Sequence, residues 1–421
     1  MTNALTSRRR IIALDVLRGI AILGTLLTNI WIFSRSSGGE PGVDTVAAEG
    51  ALAAFNSVAD VLLNLFTDGK FIGLLTIMFG IGLEIQRQSA IRRGEPWPGR
   101  YPWRALVLIL DGLLNYIFIF EFDVLMGYGL TALVVAAVLA GSPRTQKIWM
   151  WVGLAAHAVM MFFMAGGPRL FGSFPGGDFI REATPGEEGM RFLPEALPTD
   201  SYWGMVTDRV QNFIGGRGEI PIMFFMGLGL FLVGAHLYRA GLFLPEGVRL
   251  RRIVMGIGFG VGFPLDWALR LTDTAGHVAR YGTSTIVAFG VLAAVAAFYA
   301  RRERVGVMGH LLSLVGRMAL TNYILQNLIA SIIFYDWGLG VSRRIQGPWE
   351  IVATLGIYVG ISAFLIGLSA VWLRYYRRGP VELVWHDLVD RVADTAERAT
   401  RRRRERRAPE ATPAPQELTV G

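Results

Sequence analysis

Ten stretches of the sequence, near residues 11–34, 61–86, 104–122, 124–141, 147–166, 218–238, 250–270, 281–300, 309–335 and 349–376, run for 17 or more mostly apolar residues. A helix needs about 20 such residues, at ~1.5 Å rise each, to cross a hydrocarbon core of ~30 Å, where each backbone amide must be paired within the protein. The pattern predicts an all-α fold, a polytopic membrane bundle of about ten transmembrane helices. Composition agrees, since 52% of the 421 residues are hydrophobic and the mean hydropathy is +0.43. The first stretch is longer than a signal-peptide core and no small-x-small cleavage site follows it before Trp31, so it reads as retained.

Charge sets the expected orientation. The alternate short loops, at 87–104, 144–147, 239–252 and 301–304, hold fourteen Lys and Arg, whereas the opposite set holds far fewer outside the long 167–217 segment. Basic loops stay in the cytoplasm, so both termini are expected there, in agreement with Arg8, Arg9 and Arg10. The chain then divides into a transmembrane domain over 1–378, a cytoplasmic amphipathic basic helix over 379–407 and a disordered tail over 408–421. Segments 35–60 and 167–217 read as outer loops, the second rich in Gly and Pro and able either to cap a site or to join two helices. Helix 380–407 places Val381, Val384, Trp385, Leu388 and Val392 on one face and ends in Arg401-Arg-Arg-Arg-Glu-Arg-Arg407, which should lie on the anionic inner leaflet. The formal charge of +8 points to such lipids rather than to nucleic acid, since no nucleic-acid-binding motif accompanies it.

Within the apolar runs, ionisable side chains mark candidate sites, because a charge facing lipid costs several kcal/mol. In the first helix, taking Asp15 as zero and ~100° per residue, Arg18, Thr25 and Asn29 fall between ~280° and ~320°, one polar stripe facing protein or water. Asp15 and Arg18 can pair at i, i+3, either as a structural ion pair or as part of a functional site. Asp111 and Asn115 stand one turn apart in the third helix. Thr67-Asp-Gly-Lys70 interrupts the second, with Gly69 marking a possible break and Asp68 and Lys70 a possible internal salt bridge. Helix 309–335 carries Arg317 and Thr321 on one face and Asn322 and Gln326 on nearly the opposite one, and Arg317 lies about as deep as Arg18. Two guanidiniums at that depth could converge on a carboxylate or phosphate entering from inside. Asp266 and Arg270 read as a structural i, i+4 pair, and Gly256-Ile-Gly-Phe-Gly-Val-Gly262 as close helix packing.

No Gly-x-Ser-x-Gly elbow, His-Glu-x-x-His or Walker loop occurs, and zero cysteines exclude thiolate chemistry and disulfides. No metal site and no bound cofactor is expected. Of five histidines only His157 lies well inside a helix, where it reads as packed and satisfied.

The segments Leu14-Asp-Val-Leu-Arg-Gly-Ile-Ala-Ile-Leu-Gly24 with Asn29, Gly69-Lys-Phe71, Met78-Phe-Gly-Ile-Gly82 and Phe122-Asp-Val-Leu-Met-Gly-Tyr128 resemble the bacterial YeiB family. Val315-Gly-Arg-Met-Ala-Leu-Thr-Asn-Tyr-Ile-Leu-Gln326, Phe334-Tyr-Asp-Trp-Gly-Leu-Gly340 and Gly379-Pro-Val-Glu-Leu-Val-Trp385 carry the same resemblance. It implies a multi-pass protein of the bacterial inner membrane, set beside the transmembrane acyltransferases that use cytoplasmic acyl-CoA. Carried over, Arg18, Arg317 and Lys70 would bind the phosphates of acyl-CoA as co-substrate or polarise its thioester. Asp15, Asn29, Tyr128, Asn322, Tyr323 and Gln326 complete the expected binding set for a small-molecule ligand. Family members usually show Gly-x-x-His where this chain has Gly112-Leu-Leu-Asn115, and asparagine takes no proton at neutral pH. Either Asp111 or Asp123 then serves as base, or the protein binds and moves a small anionic or amphipathic solute without acyl transfer. The expected site lies between the first, second, third and ninth helices. An oligomer is compatible with all of this.

Overall fold

The structure, a computed structural model, describes residues 12–35, 50–165, 200–272, 276–302 and 305–407. Arg8 to Arg10, most of the Gly- and Pro-rich outer segment and the tail over 408–421 lie outside these residues. Among the described residues the secondary structure is helical, with no strand. Each of the ten apolar runs coincides with a helix or a broken pair of helices. Among the described residues seven helical runs, Gly50–Arg92 counted as one, are long and apolar enough to cross a membrane, and Leu125–Ala140 and Ala319–Phe334 are shorter apolar helices. The chain is an all-α bundle of the polytopic membrane type.

In chain order the elements are α1 (Ile12–Ser34), α2 (Gly50–Phe66), α3 (Lys70–Arg92), α4 (Tyr101–Phe118), α5 (Leu125–Ala140) and α6 (Pro143–Met164). After the undescribed segment come α7 (Tyr202–Gln211), α8 (Glu219–Arg239), α9 (Val248–Leu271) and α10 (Gly276–Tyr299). The last four are α11 (Val307–Arg317), α12 (Ala319–Phe334), α13 (Glu350–Tyr375) and α14 (Pro380–Arg407). Taking α2–α3 and α11–α12 each as one broken run and setting the short α7 aside, the helices alternate in direction, so the end of the bundle at which α1 begins gathers the arginines of the loops after α3, α8 and α10. We call it the basic end.

Three expected elements are revised. The 35–60 loop is helical from Gly50, so α2 and α3 form one apolar run of 43 residues broken at Thr67–Gly69. The break is a glycine requirement, because Gly69 sits at φ +76° and a Cβ there would overlap the carbonyl of Arg280. Helix 309–335 is two helices, interrupted at Met318 (φ −115°, ψ 37°). Asn322 repairs the interruption, its Nδ2 donating to the carbonyl oxygen of Val315 (3.1 Å) and to Ser369 Oγ (3.0 Å). The glycine-rich part of α9 contains a π-helical turn, Gly258–Gly262, and Gly258 lies against the backbone of Gly290 in α10, the close packing the glycines implied. Gly256 and Gly260 face open space.

α1 occupies the centre, with Leu17, Ala21, Leu26, Ile30 and Phe33 inaccessible. It crosses α11 with backbones touching, since a Cβ on Gly19 would overlap the carbonyl of Leu312 and one on Gly316 that of Asp15. That crossing sets Arg18 and Arg317, each next to one of these glycines, side by side at the basic end.

Candidate functional site

α4 and α5, of 18 and 16 residues, are joined by a turn over 119–124 whose Phe120, Glu121 and Asp123 are buried. The turn lies inside the protein. Between it and the basic end is a cavity of about 560 Å³. Its walls are apolar, from Ile22 on α1, Leu75, Met78 and Phe79 on α3, Leu108 on α4 and Leu125 on α5. Five arginines line it as well, namely Arg18, Arg104, Arg317, Arg377 and Arg378. Tyr128 and Tyr323 also line it, beside the turn residue Val124 and Leu125 at the start of α5.

Behind Tyr323 stands a relay of polar groups. The Tyr323 hydroxyl donates to Asp123 Oδ1 (3.4 Å) and receives the backbone N–H of Val124 (3.4 Å). Asn115 Nδ2 donates to the same Asp123 oxygen (2.8 Å), while Oδ2 accepts the backbone N–H of Met126 (3.1 Å). Three donors therefore fix one buried carboxylate. Gly112 permits this, because a Cβ there would push into Asp123 Oδ2 and the backbone of Met126. Asn115 is a ligand of Asp123, which leaves the aspartate as the proton acceptor of the pair. Asp111, a turn earlier on α4, has its Oδ2 buried with no hydrogen-bond partner among the described residues and feels the charges of Asp123 and Glu382.

The far side of the turn is sealed by the end of the outer segment. Arg209 on α7, 1% exposed, pairs with Glu121, which also accepts from the Tyr335 hydroxyl (3.2 Å). Arg217 donates to the carbonyl oxygens of Glu121 (3.3 Å) and Asp123 (3.1 Å) and stacks over Tyr116 at 4.5 Å. The described part of the outer segment thus closes the turn from the side away from the cavity.

Of the expected site residues, the structure brings Arg18, Tyr128, Arg317 and Tyr323 to the cavity, with Asp15 3.4 Å from Arg18 and Asp123 and Asn115 directly behind Tyr323. Asn29, Asn322 and Gln326 are buried elsewhere. Gln326 donates to Thr25 Oγ1 (3.2 Å) and holds α12 to α1. Lys70 is placed differently from expectation. Its ammonium bonds Asp266 instead of converging with the arginines, and Asp68 pairs with Arg270 (2.7 Å) and Arg280 (2.7 Å) rather than with Lys70. The expected Asp266–Arg270 pair is present at 3.1 Å, so these five charges form one structural network joining the α2–α3 break to α9 and α10. His157 is packed as expected but only half satisfied: its Nε2 meets the carbonyl of Tyr281 at 3.0 Å, and its Nδ1 is buried with no hydrogen-bond partner among the described residues.

Sequence reading missed the cavity's roof. α14 packs on α4 and α12 through Trp385, Val389 and Ala393, while Val384 and Leu388 of the expected apolar face are exposed. Glu382, Trp385 and His386 line the cavity. The Glu382 carboxylate accepts the N–H groups of Leu320 (2.9 Å) and Thr321 (3.3 Å) and the Thr321 hydroxyl, capping α12. Arg100 anchors the helix further along, to Glu397 (2.9 Å) and Asp394 (2.9 Å). The only sequence signal was the Gly379–Trp385 motif. His386 is held below its ordinary value of 6.5 by burial, which outweighs the hydrogen bond from its ring to the Glu382 carbonyl.

Comparison with known proteins gives a family. Residues 237–391 match the family described as "Protein of unknown function (DUF418)". The chain is 27% identical over 408 residues to "Uncharacterized protein YeiB" of Escherichia coli (strain K12), covering 92% of this chain and 98% of that protein. It is 27% identical over 400 residues to "Uncharacterized protein YxaH" of Bacillus subtilis (strain 168), covering 90% and 94%. No solved structure matches the chain. These likenesses run through both the cavity and its α14 roof and support the YeiB family for this membrane protein.

Proposed function

We propose that this protein transfers an acyl group from an acyl-CoA, admitted at the basic end, to a hydroxyl or amine acceptor. One observation carries the reading: an apolar-walled cavity combines five arginines with a tyrosine hydroxyl bonded to a buried, triply held carboxylate. Arginines bind phosphate bidentately and cannot deprotonate, which suits the charged end of acyl-CoA, and the apolar walls suit its acyl chain. Asp123 takes the acceptor's proton while the acceptor oxygen or nitrogen bonds to the thioester carbonyl carbon. The carbon–sulfur bond breaks, and the leaving thiolate takes that proton back from Asp123 through Tyr323 to become the free thiol. Tyr323 relays the proton and keeps the carboxylate oriented. Tight binding of acetyl-CoA to purified protein by calorimetry, lost in Arg317→Ala, is the expected result; no binding at saturating acetyl-CoA removes the donor.

A second reading, transport of a small anionic or amphipathic solute, has one observation in its favour. The cavity lies on one side of a turn whose other side is closed chiefly by the Glu121–Arg209 pair and Arg217, an arrangement that an alternating gate would use. Counterflow of a labelled solute in proteoliposomes, without thiol release, would favour it.

A further inference from the structure

α6 and α8 cross with their backbones in contact, because each contributes a glycine to the crossing. A Cβ on Gly153 would approach Gly229 N to 2.6 Å, and one on Gly229 would approach Leu154 N to 3.0 Å. From that point toward the basic end the two helices splay apart. The wedge is a cleft of about 290 Å³, with Met150 and Leu232 in its floor and Gln146, Lys147, His236 and Arg239 above them. A second hollow of about 670 Å³ adjoins it, shares Pro143 and Lys147, and runs along the outer face of α6 past Ile148, Trp151 and Val152 to Ala155. Ile148, Trp151 and Val152 are about half or more exposed. This is a face turned outward from the bundle.

We propose that the paired hollows bind one anionic phospholipid, its phosphate headgroup in the α6–α8 wedge and an acyl chain along Ile148, Trp151 and Val152. The charge balance is the reason for an anion. Arg239 donates to Gln146 Oε1 (2.7 Å) and lies 3.9 Å from buried Glu84, a carboxylate it shares with Arg87 (3.3 Å), so it sets the polar wall with its charge only partly balanced. Arg144 and Lys147 make no ion pair among the described residues and both line the hollows. Two unneutralised cations over an apolar groove, with an indole at its edge, match a lipid phosphate at the depth where basic and aromatic side chains meet a bilayer surface. A soluble anion would leave the groove unfilled. The site is separate from the arginine-lined cavity and does not depend on the function proposed for it.

The test uses the full chain purified in a neutral detergent, with thermal shift and native mass spectrometry on addition of phosphatidylglycerol, phosphatidylcholine or glycerol 3-phosphate. Phosphatidylglycerol is expected to stabilise the protein more than phosphatidylcholine, and the double variant Arg144→Gln/Lys147→Gln to weaken its binding about thirtyfold, at about 1 kcal/mol per basic residue. Both positions are exposed, so the variant should fold normally. Equal effects of the two lipids on the native protein would overturn the proposal. So would a preference for phosphatidylglycerol that survives the double variant, which would move the site to Arg401–Arg407, or stabilisation by glycerol 3-phosphate equal to that by the lipid, which would make the ligand a free phosphate.

Discussion

The hydroxyl of Tyr323 lies 3.4 Å from Asp123, joining a helix that starts in mid-bundle to a turn buried in the interior. Neither residue could reach the other if α11 and α12 were one continuous helix, because the interruption at Met318 resets the rotation of every later side chain. The Tyr323–Asp123 contact is therefore a product of two irregularities, a broken helix and a short helical hairpin.

Asp123→Asn should abolish acyl transfer while leaving acyl-CoA binding intact. The substituted amide has one oxygen for three donors, so it must set its NH2 either against the N–H of Met126 or against Asn115 and Tyr323, at about 1–3 kcal/mol. Tyr323→Phe avoids that conflict and removes the relay together with the long hydrogen bond from the Val124 N–H (3.4 Å). Free-thiol release from acyl-CoA should fall by at least about a hundredfold in the first variant and by less in the second. Activity near the native level in Asp123→Asn, with binding retained, would exclude Asp123 as base.

The helical runs, their alternation and the convergence of Arg18 with Arg317 were legible in the sequence, because hydropathy and depth along a helix are one-dimensional quantities. The partner of Lys70 was not. Lys70 and Asp266 are 196 residues apart, and nothing in their local spacing distinguishes a lysine facing a cavity from one facing an aspartate on another helix. The roof was missed for a related reason. The exposed strip of Val384 and Leu388 and the packed strip of Val389 and Ala393 are both apolar, and periodicity alone does not say which meets protein. Asn115 itself was legible as a polar residue at membrane depth, but its role as a donor to Asp123 required the turn.

Lys70→Met separates architecture from ligand binding. Lys70 is 4% exposed and pairs with Asp266, which is 0% exposed, so removing the ammonium leaves a buried carboxylate held by Arg270, Thr283 and Ser284 alone. Breaking a buried pair costs about 3–5 kcal/mol, reduced here by those remaining partners. A lower midpoint in thermal unfolding, with unchanged acyl-CoA affinity at temperatures where the variant is folded, is the expected outcome. A selective loss of affinity would return Lys70 to the binding site.

The roof histidine should make ligand binding depend on pH. His386 faces Arg104 and Arg378, which disfavour its protonation, and Asp390, which favours it, and burial holds it below 6.5. It is therefore neutral at pH 7 in the unliganded protein. A phosphate in the cavity raises it, so binding takes up a proton, and affinity rises as pH falls through the liganded value and levels off below the unliganded one. Folding has the opposite sign. With the folded value below the unfolded one, His386 protonates more readily in the unfolded chain, and its neutral form ceases to support the fold as pH drops below about 6.5. Calorimetric affinities at pH 5.5 and 8 should differ in the native protein and converge in His386→Gln.

Glu382 places two effects of one carboxylate in opposition. It caps α12 through the N–H groups of Leu320 and Thr321, and it also puts a negative charge in a cavity lined by five arginines, where a ligand phosphate would be repelled by it. In Glu382→Gln the amide oxygen keeps part of the cap but loses the charge that favours a helix N-terminus, costing about 0.5–1 kcal/mol. The same change removes like-charge repulsion from the bound phosphate, a larger effect in a partly buried cavity than at a surface. The variant should therefore melt slightly lower than the native protein without ligand and bind acyl-CoA more tightly, so that the two melting curves cross as ligand is added. If ligand affinity falls together with stability, Glu382 acts only as a cap and the phosphate binds away from the roof.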